Sequence, residues 1–353
     1  MRKVAHTIVS SIACLKEKMN VLIICGLHNK TLAEYITLES YVVGAYPHLW
    51  VFDEKIFLRC EKIPSETVVK VLPEHVRSLL MNSDVIIWLS QFGDLIKIPK
   101  NVRKAMFAFW DCVDENIRAK PRLYVNLLSA ACIENMGINY KQYLQSFIEA
   151  VNVDYKKIQK TGAFIASKLQ GRSSVHVYDV KGTDLSFSID KRCVGIEAGT
   201  LENCFLNGKE CGVEVPGGEV YVAPIETSAN GVLVVDEFRD YKIQNLELHF
   251  QNGKIENFKA EKGGDVFRKL LDKAEGDKDR IAEFGIGINY GVKLTGYRMF
   301  DEKALGTAHI AIGDNTQLGG VNRASIHWDF ILHNPSVEVD GTLLMEKGKL
   351  AIL

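Results

Sequence analysis

The sequence lacks the features that mark membrane, fibrous and nucleic-acid-binding proteins. No stretch of its 353 residues approaches the roughly 20 apolar residues that a membrane helix needs. Only 8 prolines and 28 glycines are present, which excludes a disordered or collagen-like chain. Lysine and arginine number 43 against 44 aspartates and glutamates, so there is no surplus positive charge for nucleic acid phosphates. We therefore expect a soluble globular protein with no membrane and no nucleic acid partner.

The 8 cysteines are too sparse for a disulfide framework, and none occurs as Cys-x-x-Cys. Several lie in apolar runs, such as residues 21–25 (Val-Leu-Ile-Ile-Cys), and are predicted to be small buried side chains. A reducing environment is the simplest explanation, so we predict a cytoplasmic location. The cysteines are Cys14, Cys25, Cys60, Cys112, Cys132, Cys193, Cys204 and Cys211.

The N-terminus has two interpretations. Arg2 and Lys3 precede an apolar segment, as in a signal peptide, but Ser10, Ser11 and Lys16 interrupt that segment. The apolar residues instead recur at spacings of three and four, which predicts one amphipathic helix. They are Val4, Ile8, Ile12, Leu15 and Met19.

Up to about residue 170 the chain alternates short apolar strands with amphipathic helices, which predicts an α/β domain with an open, mostly parallel sheet. The predicted strands are 20–25, 48–53, 84–89 and 122–127, and the predicted helices are 30–44, 65–81 and a helical connection over 139–170. Gly26 is followed by Leu-His-Asn, so no dinucleotide-binding fingerprint follows the first strand. We interpret this domain, residues 1–170, as a scaffold.

From about residue 174 the pattern changes to short alternating segments, which predicts a mainly-β (α+β) second domain over residues 171–353. Residues 251–254 (Gln-Asn-Gly-Lys) fit a hairpin turn, and residues 266–274 carry the spacing of one helix. The predicted strands include 175–178, 185–189, 220–222, 231–235 and 246–250.

Residues 326–330 (Ile-His-Trp-Asp-Phe) place two metal-type ligands on one face of a strand. Strand side chains alternate, so His327 and Asp329 project together, with Cα atoms roughly 6–7 Å apart, while the apolar residues face a core. An exposed edge strand would give the same pattern.

Three further residues have the same character. His309 lies between small residues in a predicted strand, and Glu283 lies within an apolar run, where a carboxylate is costly unless it is paired or binds a metal. Glu219 opens a strand after a Pro-Gly-Gly turn. Taken singly, a hydrogen-bonded core histidine or a salt bridge would explain each residue.

Together the five residues make a donor set of imidazoles and carboxylates, which divalent ions accept. A single catalytic zinc ion usually has three protein ligands, so five donors predict two ions about 3.5–4 Å apart that share a bridging carboxylate.

Seven segments of the second domain, in order, resemble the metallopeptidases of the thermophilic aminopeptidase T and aminopeptidase S (leucyl aminopeptidase-like) family. These segments are 182–185 (Gly-Thr-Asp-Leu), 215–224 (Val-Pro-Gly-Gly-Glu-Val-Tyr-Val-Ala-Pro), 282–287 (Ala-Glu-Phe-Gly-Ile-Gly), 300–303 (Phe-Asp-Glu-Lys), 306–309 (Gly-Thr-Ala-His), 318–320 (Leu-Gly-Gly) and 325–330 (Ser-Ile-His-Trp-Asp-Phe). A weaker similarity runs through the first domain. So many ordered motifs are specific, unlike any one of them.

The resemblance implies a metal-ligand set of Glu, Glu, His, Tyr, His and Asp. By motif, the set carries to the same five residues: Glu219, Glu283, His309, His327 and Asp329. The tyrosine does not carry, because residues 313–317 after His309 read Gly-Asp-Asn-Thr-Gln. We hypothesise that Asp314 replaces it as an oxygen ligand.

The resemblance further implies a metal-dependent aminopeptidase that uses two divalent ions (zinc, cobalt or manganese) to hydrolyse the N-terminal residue of a peptide substrate. Glu283 or Glu219 would be the catalytic carboxylate that moves the proton. Glu226 and Asp184 are candidate partners of the substrate amine. A homodimer is implied by the resemblance alone.

Two alternatives remain open. His309, His327 and Asp329 alone make the two-His-one-carboxylate set of a mononuclear non-haem iron oxygenase, and a dihydroxypyridine dioxygenase is similar to this fold family. The presence of Glu219 and Glu283 favours the peptidase. A non-catalytic metal-binding descendant would also explain the missing tyrosine.

Overall fold

The structure is a computed structural model that describes residues 1–58, 72–90, 93, 98–202 and 212–351. The chain forms two compact units, Met1–Asn152 with Gly199–Gly217, and Val153–Ala198 with Gly218–Leu353. The helix that precedes residue 170 lies in the second unit. The boundary near residue 170 stays a prediction, and each unit is described below by itself.

The first unit contains a five-stranded parallel sheet of order β2-β1-β3-β4-β8. Its strands are β1 (Asn20–Gly26), β2 (Tyr46–Phe52), β3 (Val85–Leu89), β4 (Arg122–Val125) and β8 (Gly212–Val215). β1 and β3 are buried along almost their whole length, as expected for inner strands of a parallel sheet. The predicted α/β fold is confirmed. Of the five strands in this sheet, β8 was not predicted from the sequence. It joins the sheet by pairing with β4, which lies far away in the chain.

The described helices of the first unit are α1 (Arg2–Thr7), α2 (Lys30–Val42), α3 (Glu54–Leu58), α4 (Glu74–Met81), α5 (Lys100–Ile117), α6 (Ala130–Asn135) and α7 (Tyr140–Val151). Among them, α2 and α4 agree with the predicted helices 30–44 and 65–81 where the two can be compared, whereas α3, α5 and α6 were not predicted. The predicted helix 65–81 is described only from residue 72, and Cys60, Cys204 and Cys211 lie outside the described residues.

The N-terminal helix is shorter than predicted. α1 continues as a π-helical turn over Ile8–Ile12 and ends there, so the prediction that it reaches Met19 is wrong. Cys14 adopts a left-handed backbone conformation (φ 51°), which a right-handed helix cannot contain.

The second unit contains two antiparallel sheets, which confirms the predicted mainly-β architecture. An eight-stranded sheet has the order β12-β11-β10-β6-β5-β16-β17-β18, and a five-stranded sheet has the order β15-β14-β13-β9-β7. The strands are β5 (Ser174–Tyr178), β6 (Asp184–Ser188), β7 (Gly195–Glu197), β9 (Glu219–Val222), β10 (Asn230–Phe238), β11 (Ile243–Gln251), β12 (Lys254–Lys262), β13 (Ile281–Gly287), β14 (Thr307–Gly313), β15 (His327–His333), β16 (Ser336–Val339), β17 (Thr342–Glu346) and β18 (Lys349–Leu350).

In the described part of this unit three α-helices accompany the sheets: α8 (Tyr155–Leu169), α9 (Gly264–Lys273) and α10 (Arg298–Asp301). Short 3-10 helices lie at Arg239–Tyr241 and Thr316–Leu318. The predicted helical connection over 139–170 is two helices, α7 and α8. Asp154 separates them because its side chain accepts hydrogen bonds from the first amides of α8 and so caps a new helix. Within the described part of the chain the longest helix, α5, is amphipathic, and no helix has the length and apolar character that a bilayer span requires.

The two sheets of the second unit pack through aromatic residues. Phe187 of β6 contacts Phe284 of β13 at a ring separation of 5.4 Å, and Phe238 of β10 contacts Phe330 of β15 at 5.2 Å. Strand side chains alternate between the two faces of a sheet. Because Phe284 and Phe330 are buried in this core, the residues next to them in β13 and β15 point to the opposite face.

A cluster of aromatic side chains in the first unit gives a test of its packing. Trp110 of α5 is buried against Trp50, Trp88 and two phenylalanines, with ring centroids 5.2–5.5 Å apart. We expect Trp110→Ala to lower the free energy of unfolding by about 3–5 kcal/mol, because it removes these contacts and leaves a cavity. The exposed Tyr41→Ala should change it by less than about 0.5 kcal/mol. Urea denaturation followed by circular dichroism measures both, and equal effects of the two substitutions would contradict this packing.

Candidate metal centre

Four adjacent strands of the five-stranded sheet carry the predicted ligands on one face. β9 supplies Glu219, β13 supplies Glu283, β14 supplies His309, and β15 supplies His327 and Asp329. The structure thus brings all five residues together, although up to 110 positions separate them in the sequence.

The strand register explains how the side chains converge. Glu283 pairs with Ala311 on β14, and Ala311 pairs with Asp329 on β15, so one small residue separates the two carboxylates. Gly285 pairs with His309. A side-chain Cβ at Gly285 would lie well within van der Waals distance of the His309 ring, so glycine provides the space that this imidazole occupies.

The five residues form two overlapping groups that share Glu283. Glu219, Glu283 and His309 form one group, and Glu283, His327 and Asp329 form the other, with the ligand atoms of each within 4.8 Å of one another. Glu283 Oε1 lies 3.5 Å from His309 Nε2, and its Oε2 lies 3.0 Å from His327 Nε2. Glu219 Oε2 is 3.5 Å from His309 Nε2, and Asp329 Oδ1 is 3.2 Å from His327 Nε2.

This donor set fits divalent metal ions. Three buried carboxylates and two imidazoles are the ligands that such ions accept, and buried carboxylates are costly without a cation. His309 is only 1% exposed, yet Nε2 has carboxylate oxygens no nearer than 3.5 Å, and Nδ1 is buried with no hydrogen-bond partner among the described residues. A buried imidazole with such poor protein hydrogen bonds is expected where a further partner, such as a metal ion, belongs.

Without metal, the carboxylates favour protonated imidazoles. Burial acts to lower the pKa of His309, but the hydrogen bond to Glu283 and the charge of Glu219 outweigh it and raise the pKa to about 9. Burial likewise opposes the charge of His327, but Asp329 and Glu283 raise its pKa to about 11. Protons and metal ions therefore compete for the same nitrogen atoms.

The two glutamates shift in opposite directions. Burial raises the pKa of Glu219 to about 8, despite the nearby Lys303. For Glu283 the hydrogen bonds from His309 and His327 outweigh burial and lower the pKa to about 2. Glu283, between the two imidazoles, is therefore the more firmly ionised carboxylate.

Sequence reasoning missed three charged residues beside the ligands, which we call the cation clamp: Arg298, Glu302 and Lys303. Lys303 Nζ donates to Glu219 Oε1 over 2.7 Å, and Arg298 Nη1 donates to Asp329 Oδ2. Glu302 and Lys303 lie in the segment Phe-Asp-Glu-Lys that helped to carry the family resemblance. The sequence motif therefore contains both residues, but it does not by itself indicate that Lys303 pairs with Glu219.

Three residues considered in the sequence lie outside both ligand groups. The Asp314 carboxylate accepts hydrogen bonds from Thr316 and from the amide of Ala324, so the hypothesis that it replaces the tyrosine ligand is not supported. Its backbone carbonyl lies 2.7 Å from His327 Nδ1 and orients that ring. Glu226 is paired with Arg192, and the exposed Asp184 is paired with His176.

Comparison with known proteins points to one family. The sequence profile described as thermophilic metalloprotease (M29) matches residues 141–351. Aminopeptidase AmpS of Bacillus subtilis (strain 168) is 28% identical over 186 residues, which is 46% of this chain and 44% of that protein. Aminopeptidase T of Thermus aquaticus is 28% identical over 173 residues, 41% of this chain and 42% of that protein. The alignments thus span less than half the length of these relatives.

Two solved structures share the fold. Wild-type AmpT from Thermus thermophilus superposes with a TM-score of 0.73 at 18% identity, covering 99% of this chain and 98% of that one. The 2,5-dihydroxypyridine dioxygenase of Pseudomonas putida KT2440 superposes with a TM-score of 0.67 at 13% identity, covering 100% and 97%. At these identities the superpositions show the fold alone.

The space at Gly285 can be tested directly. In Gly285→Ala the new methyl group must displace the His309 ring, so we expect divalent-ion affinity to fall by about 10- to 100-fold, as when a ligand's support is lost. Equilibrium dialysis with Zn²⁺ measures this. Gly264→Ala is the matched control, since its Cβ would meet Ala260 Cβ at an ordinary 3.6 Å. Unchanged zinc affinity in Gly285→Ala would contradict the proposed ligand role of His309.

The metal-free chain should lose stability as pH rises. His309 and His327 have folded pKa values of about 9 and 11 against an ordinary 6.5. Their stabilisation is therefore complete below pH 6.5 and is lost as pH rises through 9 towards 11. The raised pKa of Glu219 also makes stability fall as pH rises. The lowered pKa of Glu283 changes stability only below pH 4.5, its ordinary pKa.

Thermal unfolding in a chelator between pH 6.5 and 9 measures this loss. The midpoint should fall less steeply in His309→Gln than in the parent or in the control His249→Gln. Added metal should stabilise more at pH 9 than at pH 6.5, because fewer protons compete. A flat midpoint in chelator would show that the imidazoles are not held protonated.

Proposed function

This chain belongs to the thermophilic metalloprotease (M29) family, and we propose that it is a metal-dependent aminopeptidase that removes N-terminal residues from peptides. The match of the family profile over 60% of the chain confirms the resemblance seen in the sequence. The observation that carries the proposed activity is the pair of ligand groups that share Glu283. The names of the relatives, aminopeptidase AmpS and aminopeptidase T, support the peptide substrate.

We propose two divalent ions, one for each ligand group, with Glu283 as the ligand common to both. Its two oxygens face different imidazoles, as a bridging carboxylate requires. Bound ions of this kind supply Lewis acidity, which polarises a carbonyl group and makes water nucleophilic near neutral pH. Zinc, cobalt and manganese all accept this mixed donor set, and metal analysis of the purified protein would choose among them.

The catalytic roles predicted for Glu283 and Glu219 can be separated by which oxygens are engaged. Both oxygens of Glu283 face imidazoles, so we assign it the bridging role. Glu219 faces His309 with Oε2, and its Oε1, which accepts a hydrogen bond from Lys303, retains a second lone pair that can accept a proton. We therefore assign proton transfer between water and the leaving amine to Glu219.

A cavity of about 410 Å³ that is lined in part by Asp329, one of the five proposed ligands, supports a peptide substrate. Asp329 and Arg298 form one side of it, and Phe238 and Ile331 give it an apolar surface. Its lining has five carboxylates against two arginines, which favours the positively charged N-terminus of a peptide. The carboxylates are Asp236, Glu237, Asp240, Asp301 and Asp329, and the arginines are Arg239 and Arg298.

The oxygenase alternative has less support. Its three ligands would be His309, His327 and Asp329, but among the described residues these three do not form a group of their own. Glu283 lies between the two histidines and belongs to both observed groups. The structural likeness to the dioxygenase concerns the fold only.

The homodimer and the cytoplasmic location stay predictions from the sequence. Sedimentation of the metal-loaded protein would measure the first, and fractionation of the source cells the second.

The substitution Glu283→Gln tests the proposed function. It removes one charge from a carboxylate that both groups share, so we expect hydrolysis of aminoacyl p-nitroanilides with added Zn²⁺ or Co²⁺ to fall by at least about 100-fold, the upper range for loss of even an outer metal-site partner. Bound metal, measured by mass spectrometry, should fall in parallel. Glu256→Gln, an exposed carboxylate on β12, is the matched control and should retain both.

Other results would favour the alternatives. Two bound ions with no hydrolysis of any aminoacyl amide or peptide would favour the non-catalytic descendant. One bound iron with oxygen uptake would favour the oxygenase.

A further inference from the structure

The cation clamp contacts Glu219 and Asp329, the two carboxylates that each belong to only one ligand group. In each of them the two oxygens have different partners. In Glu219, Oε2 faces an imidazole of its ligand group, whereas Oε1 accepts a hydrogen bond from Lys303 over 2.7 Å. In Asp329, Oδ1 faces an imidazole, whereas Oδ2 accepts from Arg298 Nη1. The two carboxylates lie on different strands, yet in both of them one oxygen faces an imidazole and the other accepts a hydrogen bond from a cation.

The clamp cations are also paired with carboxylates that are in neither ligand group. Glu302 Oε1 lies 3.2 Å from Lys303 Nζ, and Glu302 Oε2 lies 4.0 Å from Arg298 Nη1. Arg298 Nε donates to Asp240 Oδ2 over 3.4 Å. Glu302 and Lys303 are only 4% and 3% exposed. Burying charged groups to this degree is costly, so their positions are specified by mutual pairing. Because α10 and the two residues after it supply all three side chains, the clamp is one local unit.

We propose that Lys303 and Arg298 are positioning residues that keep Glu219 and Asp329 as one-oxygen ligands. The inference rests on the proposed metal-dependent function. For either carboxylate to offer its second oxygen to a metal ion, it would have to give up the charge-assisted hydrogen bond that this oxygen accepts from Lys303 or Arg298. Charge-assisted hydrogen bonds are strong enough to resist this. An ion held there would then keep a coordination position that the second oxygen of Glu219 or Asp329 would otherwise fill, and substrate could occupy that position.

The clamp also adjusts the charge of the centre. Glu219, Glu283, Asp329, Glu302 and Asp240 carry five negative charges when ionised, and Lys303 and Arg298 carry two positive charges. The excess of three negative charges is smaller than the four positive charges of the two proposed divalent ions, so the cations limit how strongly the protein neutralises its metal. Less neutralised ions are better Lewis acids.

The decisive variant is Lys303→Met, which keeps the unbranched side chain, one atom shorter, and removes its charge. Co²⁺ is the probe, because its visible absorption weakens as its coordination number rises. We expect Co²⁺ to bind at least as tightly as in the parent, since a nearby positive charge is gone. The visible band should weaken, because Glu219 can now offer both oxygens. The kcat for aminoacyl p-nitroanilides should fall by about 10- to 100-fold, the range for lost outer partners of metal ligands, with a smaller change in KM.

Two comparisons separate positioning from general stabilisation. Lys303→Arg retains a cation and should restore part of the parent Co²⁺ spectrum. Lys262→Met, an exposed lysine on β12, should change nothing. On the other side of the centre, Arg298→Met should alter the spectrum more than Arg298→Lys, because only the latter keeps a positive charge beside Asp329.

The proposal is overturned if folded Lys303→Met shows the parent Co²⁺ spectrum and affinity, since Lys303 would then be a structural ion pair only. If Lys303→Met does not fold, identical spectra of Arg298→Met and Arg298→Lys overturn it. Failure of the proposed function gives a different result: the variants shift the Co²⁺ spectrum, but the parent protein hydrolyses no aminoacyl amide or peptide.

Discussion

The centre depends on one buried carboxylate that contacts two imidazoles. Glu283 lies on β13, within the five-stranded sheet, and its oxygens face His309 on β14 and His327 on β15. A buried carboxylate is costly without a cationic partner. The two imidazoles provide one either by being protonated or by binding metal ions. Both ligand groups exist only because this side chain belongs to each.

The space around Glu283 is determined by small residues in the correct register. Ala311 separates Glu283 from Asp329, and Gly285 leaves room for the His309 ring. The opposite face of the same strands is fixed by Phe284 and Phe330, which pack against the eight-stranded sheet. Apolar packing on one face therefore sets the direction of the ligands on the other. The cation clamp adds a second constraint, because it engages the oxygens that face away from the imidazoles.

Much of this arrangement follows from local pattern. Alternation around Trp328 was sufficient to place His327 and Asp329 on one face, and a carboxylate in the apolar run of β13 was sufficient to single out Glu283. Local pattern did not predict features that depend on distant chain segments or on the backbone conformation of a single residue. The return of β8 to the first sheet depends on pairing with β4, and the end of the first helix depends on the left-handed backbone at Cys14. Asp314 has a suitable side chain for a ligand, but its turn directs that side chain to Thr316 and Ala324.

The sequence by itself determined the two classes of architecture and indicated the strands and the five residues that we propose as donors, because side-chain alternation and hydrophobic periodicity are properties of neighbouring residues. Only the tertiary structure decided that these residues form two groups joined at Glu283, and that Lys303 and Arg298 engage the outer oxygens of Glu219 and Asp329. Those relations depend on strand order, register and burial, which bring together side chains that are far apart in the chain.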